Sequence, residues 1–274
     1  MPELPEVETI RRQLEKEVVG RRVEDVEVRF AGRLNVPAKR FAAALAGASF
    51  ASVGRRAKLL ILGFSNGQSV LVHLKMTGGF RLVPKGSVPA KHDHVVFRLS
   101  GPHDLFFSDF RKFGYLKLVP TADVAGRLEE IGFGPEPLEK GFTAERLEEC
   151  LMRHPRLKVK QALMNQCCVA GVGNIYADES LWAAKIAPTR PVRLVKKGEL
   201  ARLRDAVVAS LKASIRRRGT SADNYYDLYG KEGTNVRYLN AYGRGGEPCP
   251  RCGTTLKKIR LAGRGTVYCP KCQK

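Results

Sequence analysis

The 274-residue chain contains no apolar run approaching the ~20 residues that a membrane span requires. It also lacks a signal peptide: the first residues are acidic and no apolar stretch follows a basic start, so a cytoplasmic protein is expected. Without a secretory signal, the seven cysteines do not argue for a disulfide framework. There is no internal repeat and no low-complexity tract. Acidic residues are scarce in one half only. Residues 1–150 hold 23 Lys+Arg against 19 Asp+Glu, whereas residues 151–274 hold 25 against 8, so most of the net charge of +21 lies in the second half. Such asymmetry points that half at a polyanion. No strongly basic amphipathic helix with an aromatic face is present, which sets a membrane surface aside and favours nucleic acid.

What is present begins with Met1-Pro2-Glu3-Leu4-Pro5-Glu6. Removal of Met1 would leave a secondary amine beside a carboxylate. Such an amine can attack a sugar carbon and form a cationic imine, and an α-amino group titrates at roughly 7.7–8.0, leaving a useful unprotonated fraction. The plainer alternative is that Pro5 simply opens a helix. Val7, Ile10, Leu14 and Val18 share one helical face, Gly20 stops the run, and the acids Glu3, Glu6 and Glu8 suit a helix N-terminus, so one or two of them suffice for catalysis.

Residues 23–119 read mainly as strands. Val26, Val28 and Phe30 alternate, and Leu59–Leu62 and Val70–Leu74 are short apolar runs joined by the hairpin signal Ser65-Asn66-Gly67-Gln68. Val95–Leu99, Leu105–Phe107 and Tyr115–Val119 follow, and the Ala-rich residues 38–47 predict a helix. Many antiparallel strands imply a sandwich or barrel.

Gly132 to Pro137 breaks both periodicities and serves as a linker. Beyond it, Thr143 caps a predicted helix carrying Leu147 and Leu151. Further helices are predicted over Val159–Gln166, over about Ile175–Ala184, and through Leu200, Leu203, Val207, Leu211 and Ile215 to Gly219. Gly171-x-Gly173 lacks the third glycine of a dinucleotide fingerprint and follows a helix, not a strand. A glycine turn feeding a helix suits a backbone phosphate, where Asn174 is either an added donor or merely the N-cap.

Cys249-Pro250-Arg251-Cys252 and Cys269-Pro270-Lys271-Cys272 predict a closed, structural thiolate site for one Zn²⁺. Lys257, Lys258, Arg260 and Arg264 lie between the knuckles, as on a hairpin pressed toward DNA. Cys150, Cys167 and Cys168 read as buried small hydrophobes.

With the first nine residues at one end and this finger at the other, the chain resembles the formamidopyrimidine-DNA glycosylases. The other anchors are Arg56-Ala57-Lys58, His73-Leu74-Lys75-Met76, Arg111-Lys112-Phe113-Gly114, Gly171–Glu179, Tyr242-Gly243-Arg244 and Gly263-Arg264-Gly265-Thr266. The resemblance implies an α+β multidomain fold: an N-terminal β-sandwich flanked by helices (1–131), a linker (132–142), a helix-two-turn-helix domain with a lesion-recognition loop (143–240), and a four-cysteine zinc-finger β-hairpin (241–274). It also implies a monomer acting on double-stranded DNA with an oxidised base, which is everted for chemistry.

By the same resemblance Pro2 attacks C1′, Glu3 is the acid/base, Glu6 supports the site, and β- and δ-eliminations follow removal of an oxidised purine. Lys58, Asn174 and Arg264 match phosphate-gripping residues, and Lys58 and Arg264 belong to the catalytic set with Pro2 and Glu3. His92 and Lys160 match DNA-binding positions. Met76, Arg111 and Phe113 match the trio that fills the vacated space, where Arg111 can also address the orphaned cytosine. Taken alone, Met76 and Phe113 would be ordinary core residues and Arg111 a surface charge.

One stretch departs from the family pattern. The lesion-recognition loop, here about Thr220–Asn240, reads Ser221-Ala222-Asp223-Asn224-Tyr225-Tyr226, and Asn235 stands where an aromatic is usual. Preference among oxidised bases is therefore open. Endonuclease VIII-like enzymes, which act on oxidised pyrimidines, and a catalytically dead zinc-finger DNA-binding protein are the alternatives. Leu4 and the Met76/Arg111/Phe113 set favour the purine branch, and intact Pro2, Glu3 and Lys58 oppose a dead protein.

Overall fold

Two four-stranded antiparallel sheets form the first of two compact units, which comprises Met1–Glu130 and Arg217–Thr234. The structure is a computed structural model and describes residues 1–222 and 224–274. One sheet has the order β1 (Val23–Val28), β6 (Asp93–Leu99), β7 (His103–Asp109), β5 (Gly78–Pro84). The other runs β2 (Phe50–Arg56), β3 (Leu59–Phe64), β4 (Gln68–His73), β8 (Tyr115–Pro120). The predicted hairpin joins β3 to β4. Gly67 there has φ 77°, a conformation that a side chain would disfavour, and the ladder closes at Gly63 opposite Ser69.

The sandwich core fills the space that alternating strand residues create. Leu60, Leu62, Val70 and Val72 of one sheet meet Val95, Phe97, Leu105 and Phe107 of the other. Helix α1 (Leu4–Val18) adds Val7, Ile10, Leu14 and Val18, all fully buried, and α2 (Ala38–Leu45) adds Phe41 and Leu45. Each such side chain contributes about 1.5–3 kcal/mol through burial, enough to pin the start of the chain to the sandwich. Tyr225 and Leu228 join the same core, so Arg217–Thr234 packs with this unit although the sequence assigns 143–240 to the helical region.

The second unit comprises Ile131–Arg216 and Asn235–Lys274. Helix α3 (Val124–Ile131) ends at its beginning and buries none of its residues. Then come α4 (Ala144–Met152), α5 (Val159–Met164), α6 (Asn174–Ala184) and α7 (Lys197–Arg216). Thr143 caps α4 as expected, its Oγ1 accepting from Arg146 N at 3.2 Å. Helices α6 and α7 pack together, with the Tyr176 hydroxyl 2.6 Å from Ser214 Oγ between them. The finger is the hairpin β9 (Lys257–Leu261) and β10 (Arg264–Tyr268). Its two-residue turn, Ala262-Gly263, has φ 47° and 76°, the positive pair of a type I′ turn. Cys150 and Cys168 are buried, but Cys167 is exposed, contrary to the reading of all three as core residues. Its backbone N–H is instead held by Asn165 Oδ1 in the turn that follows α5.

Candidate active site

Helix α1 positions the N-terminal residues. Pro2 is buried beside Glu3, the N-cap, and Pro5 stands in the first turn where its missing N–H is no loss. The N–H of Glu3 donates to Glu6 Oε2 at 2.8 Å, and the N–H of Thr220 donates to Glu6 Oε1 at 2.8 Å. Glu6 thereby ties the helix start to the segment after α7, within the first unit. Gly219 makes this approach possible: its φ is 88°, and a Cβ there would lie 3.1 Å from Glu6 Oε1 and 2.8 Å from the Tyr225 ring. Glu8 is ion-paired to Arg12 at 2.7 Å, Arg55 at 2.9 Å and Arg11 at 3.2 Å. Burial alone would raise its carboxyl, but those guanidinium groups outweigh burial and hold it below the usual range. Of the three acids, Glu8 is the structural one.

Lys58 is buried, only 7% exposed, and directly precedes β3 after Ala57 at φ 53°. A left-handed alanine persists only where its surroundings over-determine it. Arg55 helps, donating to the Ala57 carbonyl at 2.8 Å. His73, opposite Leu59 in the ladder, feels this charge. Burial, then the ammonium groups of Lys75 and Lys58, push its imidazole down to about 3. Neutral at any working pH, Nδ1 accepts from Lys75 N at 3.0 Å and shapes the turn carrying Met76.

Met76, Arg111 and Phe113 come together and face outward. Both apolar members are 41% exposed, so the sandwich does not use them as core. The Arg111 guanidinium stacks 4.7 Å above the Phe113 ring, and its Nη1 lies 3.1 Å from Met76 Sδ. His92 is half-buried, with its ring 4.8 Å from that of the exposed Phe110. Phe110 was not singled out in the sequence, where one aromatic among twelve phenylalanines carries no signal.

In the second unit, Gly173 is the N-cap of α6, so Asn174 is the first helical residue and not the cap. Its Nδ2 donates to the Gly265 carbonyl at 3.1 Å, beside the exposed Arg264 that opens β10. Lys160 donates to the same carbonyl at 3.1 Å and to Thr266 Oγ1 at 2.8 Å, and its ammonium is 2.7 Å from Asp178. The residue is 1% exposed. The ammonium is thus held by the finger and α6, close to Arg264. Burial pushes the Asp178 carboxyl up to about 6 despite Lys160.

The four finger cysteines bring their sulfurs within 4.8 Å of one another, with Cys252 and Cys269 3.5 Å apart. Four sulfurs at the ~2.3 Å bond length of a tetrahedral thiolate site would stand about 3.8 Å apart, so the cluster fits a structural metal. In the expected recognition loop, Ser221 Oγ donates to the Tyr225 carbonyl at 2.6 Å and accepts from Gly233 N at 2.8 Å. Asp223 of that loop lies outside the described residues.

Known proteins resemble this chain over nearly its whole length. Residues 1–116 match the formamidopyrimidine-DNA glycosylase N-terminal domain, 133–225 the H2TH domain of the same enzymes, and 246–274 a zinc finger found in FPG and IleRS. The formamidopyrimidine-DNA glycosylase of Desulfitobacterium hafniense is 45% identical over 256 residues, 93% of each chain. That of Herpetosiphon aurantiacus is 44% identical over 258 residues, again 93% of each. A Lactococcus lactis FPG variant solved with Fapy-dG-containing DNA superposes with a TM-score of 0.94, at 35% identity over the full length of both chains. The wild-type L. lactis protein with DNA containing an oxidised pyrimidine gives 0.93 at 36% identity over both full lengths.

Proposed function

This chain belongs to the formamidopyrimidine-DNA glycosylase family, and from that premise we propose that it is a bifunctional DNA glycosylase and abasic-site lyase of base excision repair. Its substrates are oxidised purines in duplex DNA, 8-oxoguanine and formamidopyrimidines. The observation that carries the reading is the anchored N-terminus: Pro2 buried just before α1, with Glu3 beside it and Glu6 latched to Thr220.

Loss of Met1 turns the Pro2 nitrogen from an amide into a secondary amine. It attacks C1′ of the everted nucleotide, the glycosidic bond breaks, and the base leaves with the bonding electron pair. Glu3 moves the proton at the sugar. Loss of a proton from the resulting imine permits β- and then δ-elimination, which leaves a one-nucleotide gap flanked by phosphates. Lys58, Asn174 and Arg264 hold the backbone around the extruded sugar, and His92 contacts DNA. Met76 and Phe113 replace the lost stacking, while Arg111 addresses the orphaned cytosine. Lys160 braces the finger that presents Arg264. The metal is Zn²⁺, one per chain, held by Cys249, Cys252, Cys269 and Cys272. The ion would keep the finger ordered and would itself take no part in the chemistry.

The test is cleavage of duplexes that each carry one lesion and one opposing base. Strand scission at 8-oxoguanine and formamidopyrimidines, strongest opposite cytosine, is expected. Cleavage confined to oxidised pyrimidines would place the chain with the endonuclease VIII-like enzymes instead. Binding without cleavage would make it a DNA-binding protein only.

A further inference from the structure

We propose that Asp109 is the positioning residue that locks Met76, Arg111 and Phe113 into one rigid group, and thereby sets how faithfully the base opposite a lesion is read. The inference rests on the void-filling reading of that trio. Asp109 ends β7 and is 1% exposed. Its carboxylate reaches two separate loops. Oδ1 accepts from the Thr77 hydroxyl at 2.5 Å and from Arg111 N at 3.1 Å, and Oδ2 accepts from Gly114 N at 2.6 Å. Thr77 Oγ1 also accepts from Arg111 N at 2.9 Å, so the two loops are tied directly as well.

The topology explains why such a tie is needed. The loop holding Met76 leaves β4 of one sheet and enters β5 of the other, and the loop holding Arg111 and Phe113 makes the reverse crossing from β7 to β8. The ladders β4–β8 and β5–β7 set the two loops side by side, pairing His73 with Tyr115 and Gly78 with Asp109, but among the described residues no ladder continues into 74–77 or 110–114, so backbone pairing stops short of Met76, Arg111 and Phe113. Each loop also contains a left-handed non-glycine residue, Lys75 at φ 55° and Lys112 at φ 56°. Such conformations are disfavoured for residues with a Cβ and persist only when the surroundings impose them. The Asp109 carbonyl accepts from Lys112 N at 3.3 Å and is 2.8 Å from His94 Nε2, so its backbone supports the second loop too. Gly114 has no room for a side chain: a Cβ would lie 3.0 Å from Asp109 Oδ2 and 3.0 Å from the Phe107 ring. Reading a base edge requires the guanidinium to be held within about 0.5 Å of its productive place, and a carboxylate accepting from both loops supplies that precision.

The experiment compares Asp109→Asn, Thr77→Val and Arg111→Ala with the unaltered enzyme. Asp109→Asn would turn an amide NH₂ against either the Gly114 or the Arg111 N–H, whereas Thr77→Val deletes one hydroxyl at nearly constant shape. Single-turnover removal of 8-oxoguanine is measured opposite cytosine and opposite adenine. Borohydride trapping at a preformed abasic site counts the active enzyme. The cytosine-over-adenine ratio is expected to fall about tenfold in Asp109→Asn and about threefold in Thr77→Val, with trapping within about twofold of normal. If Asp109→Asn does not fold, Thr77→Val decides. A ratio that stays intact, or equal losses opposite both bases, while Arg111→Ala abolishes the preference, would overturn the role of Asp109. A preference that also survives Arg111→Ala would overturn the reading beneath it, and this inference with it.

Discussion

His73 shows at the scale of one residue how the site sets protonation. Half-buried at the end of β4 and near two ammonium groups, its imidazole is pushed down from the usual 6.5 to about 3. The unfolded chain therefore binds this proton on acidification well before the folded chain does. Stability from His73 is complete above pH 6.5 and is lost progressively as pH falls toward 3. Between pH 7 and 4 the loss attributable to this side chain is expected to be on the order of 3 kcal/mol. Urea midpoints of the unaltered protein and of His73→Asn check this: the difference between them should shift across that range. A histidine resonance for His73 titrating near 6.5 would contradict it. Glu6 and Glu8 make a related point, because acids two residues apart are held by entirely different partners, backbone N–H groups in one case and three arginines in the other.

At the scale of elements, the finger is held to α5 and α6 by the Lys160–Asp178 pair, since Asp178 Oδ2 also accepts from Val267 N of β10 at 3.1 Å. Asp178→Asn would leave an ammonium buried without its counter-charge and is expected to cost about 3–5 kcal/mol, read from urea unfolding of the purified protein. The double variant Lys160→Met/Asp178→Leu should recover much of that loss. A single variant as stable as the unaltered chain would show that the pair is dispensable. Neither partner of this pair could be found by pattern alone. Lys160 and Asp178 lie on different helices, and the contact exists only once both meet β10. The same holds for Glu6 and Thr220, 214 residues apart, and for the Asp109 tie between two loops. What was legible had a local cause: α1 from its apolar face, the β3–β4 hairpin from Asn66-Gly67, the finger from cysteine spacing. Strand β2 escaped because a bulge between Phe50 and Ser52 breaks its alternation. Strand β5 begins Gly78-Gly79 and ends at Pro84, which only an edge strand tolerates. Helix α3 buries nothing, so it carries no periodic signal.

For the whole molecule, the uneven charge governs association. The second half's surplus, 25 basic against 8 acidic residues, makes binding to DNA steeply dependent on salt, because every neutralised phosphate releases condensed counterions. Arg264 is exposed on the finger and is expected to grip one phosphate, so Arg264→Ala should reduce the slope of log K against log salt by about one unit. Fluorescence anisotropy at several salt concentrations measures that slope. An unchanged slope would take Arg264 out of the phosphate contacts.

The proposed chemistry depends most on the Pro2 amine. The direct measurement is borohydride reduction of the enzyme on duplex DNA containing 8-oxoguanine, followed by peptide mapping of the cross-linked protein. The account requires a chain that lacks Met1 and carries the DNA on the nitrogen of Pro2. An adduct on a lysine such as Lys58, with the Pro2 amine unmodified, would contradict it.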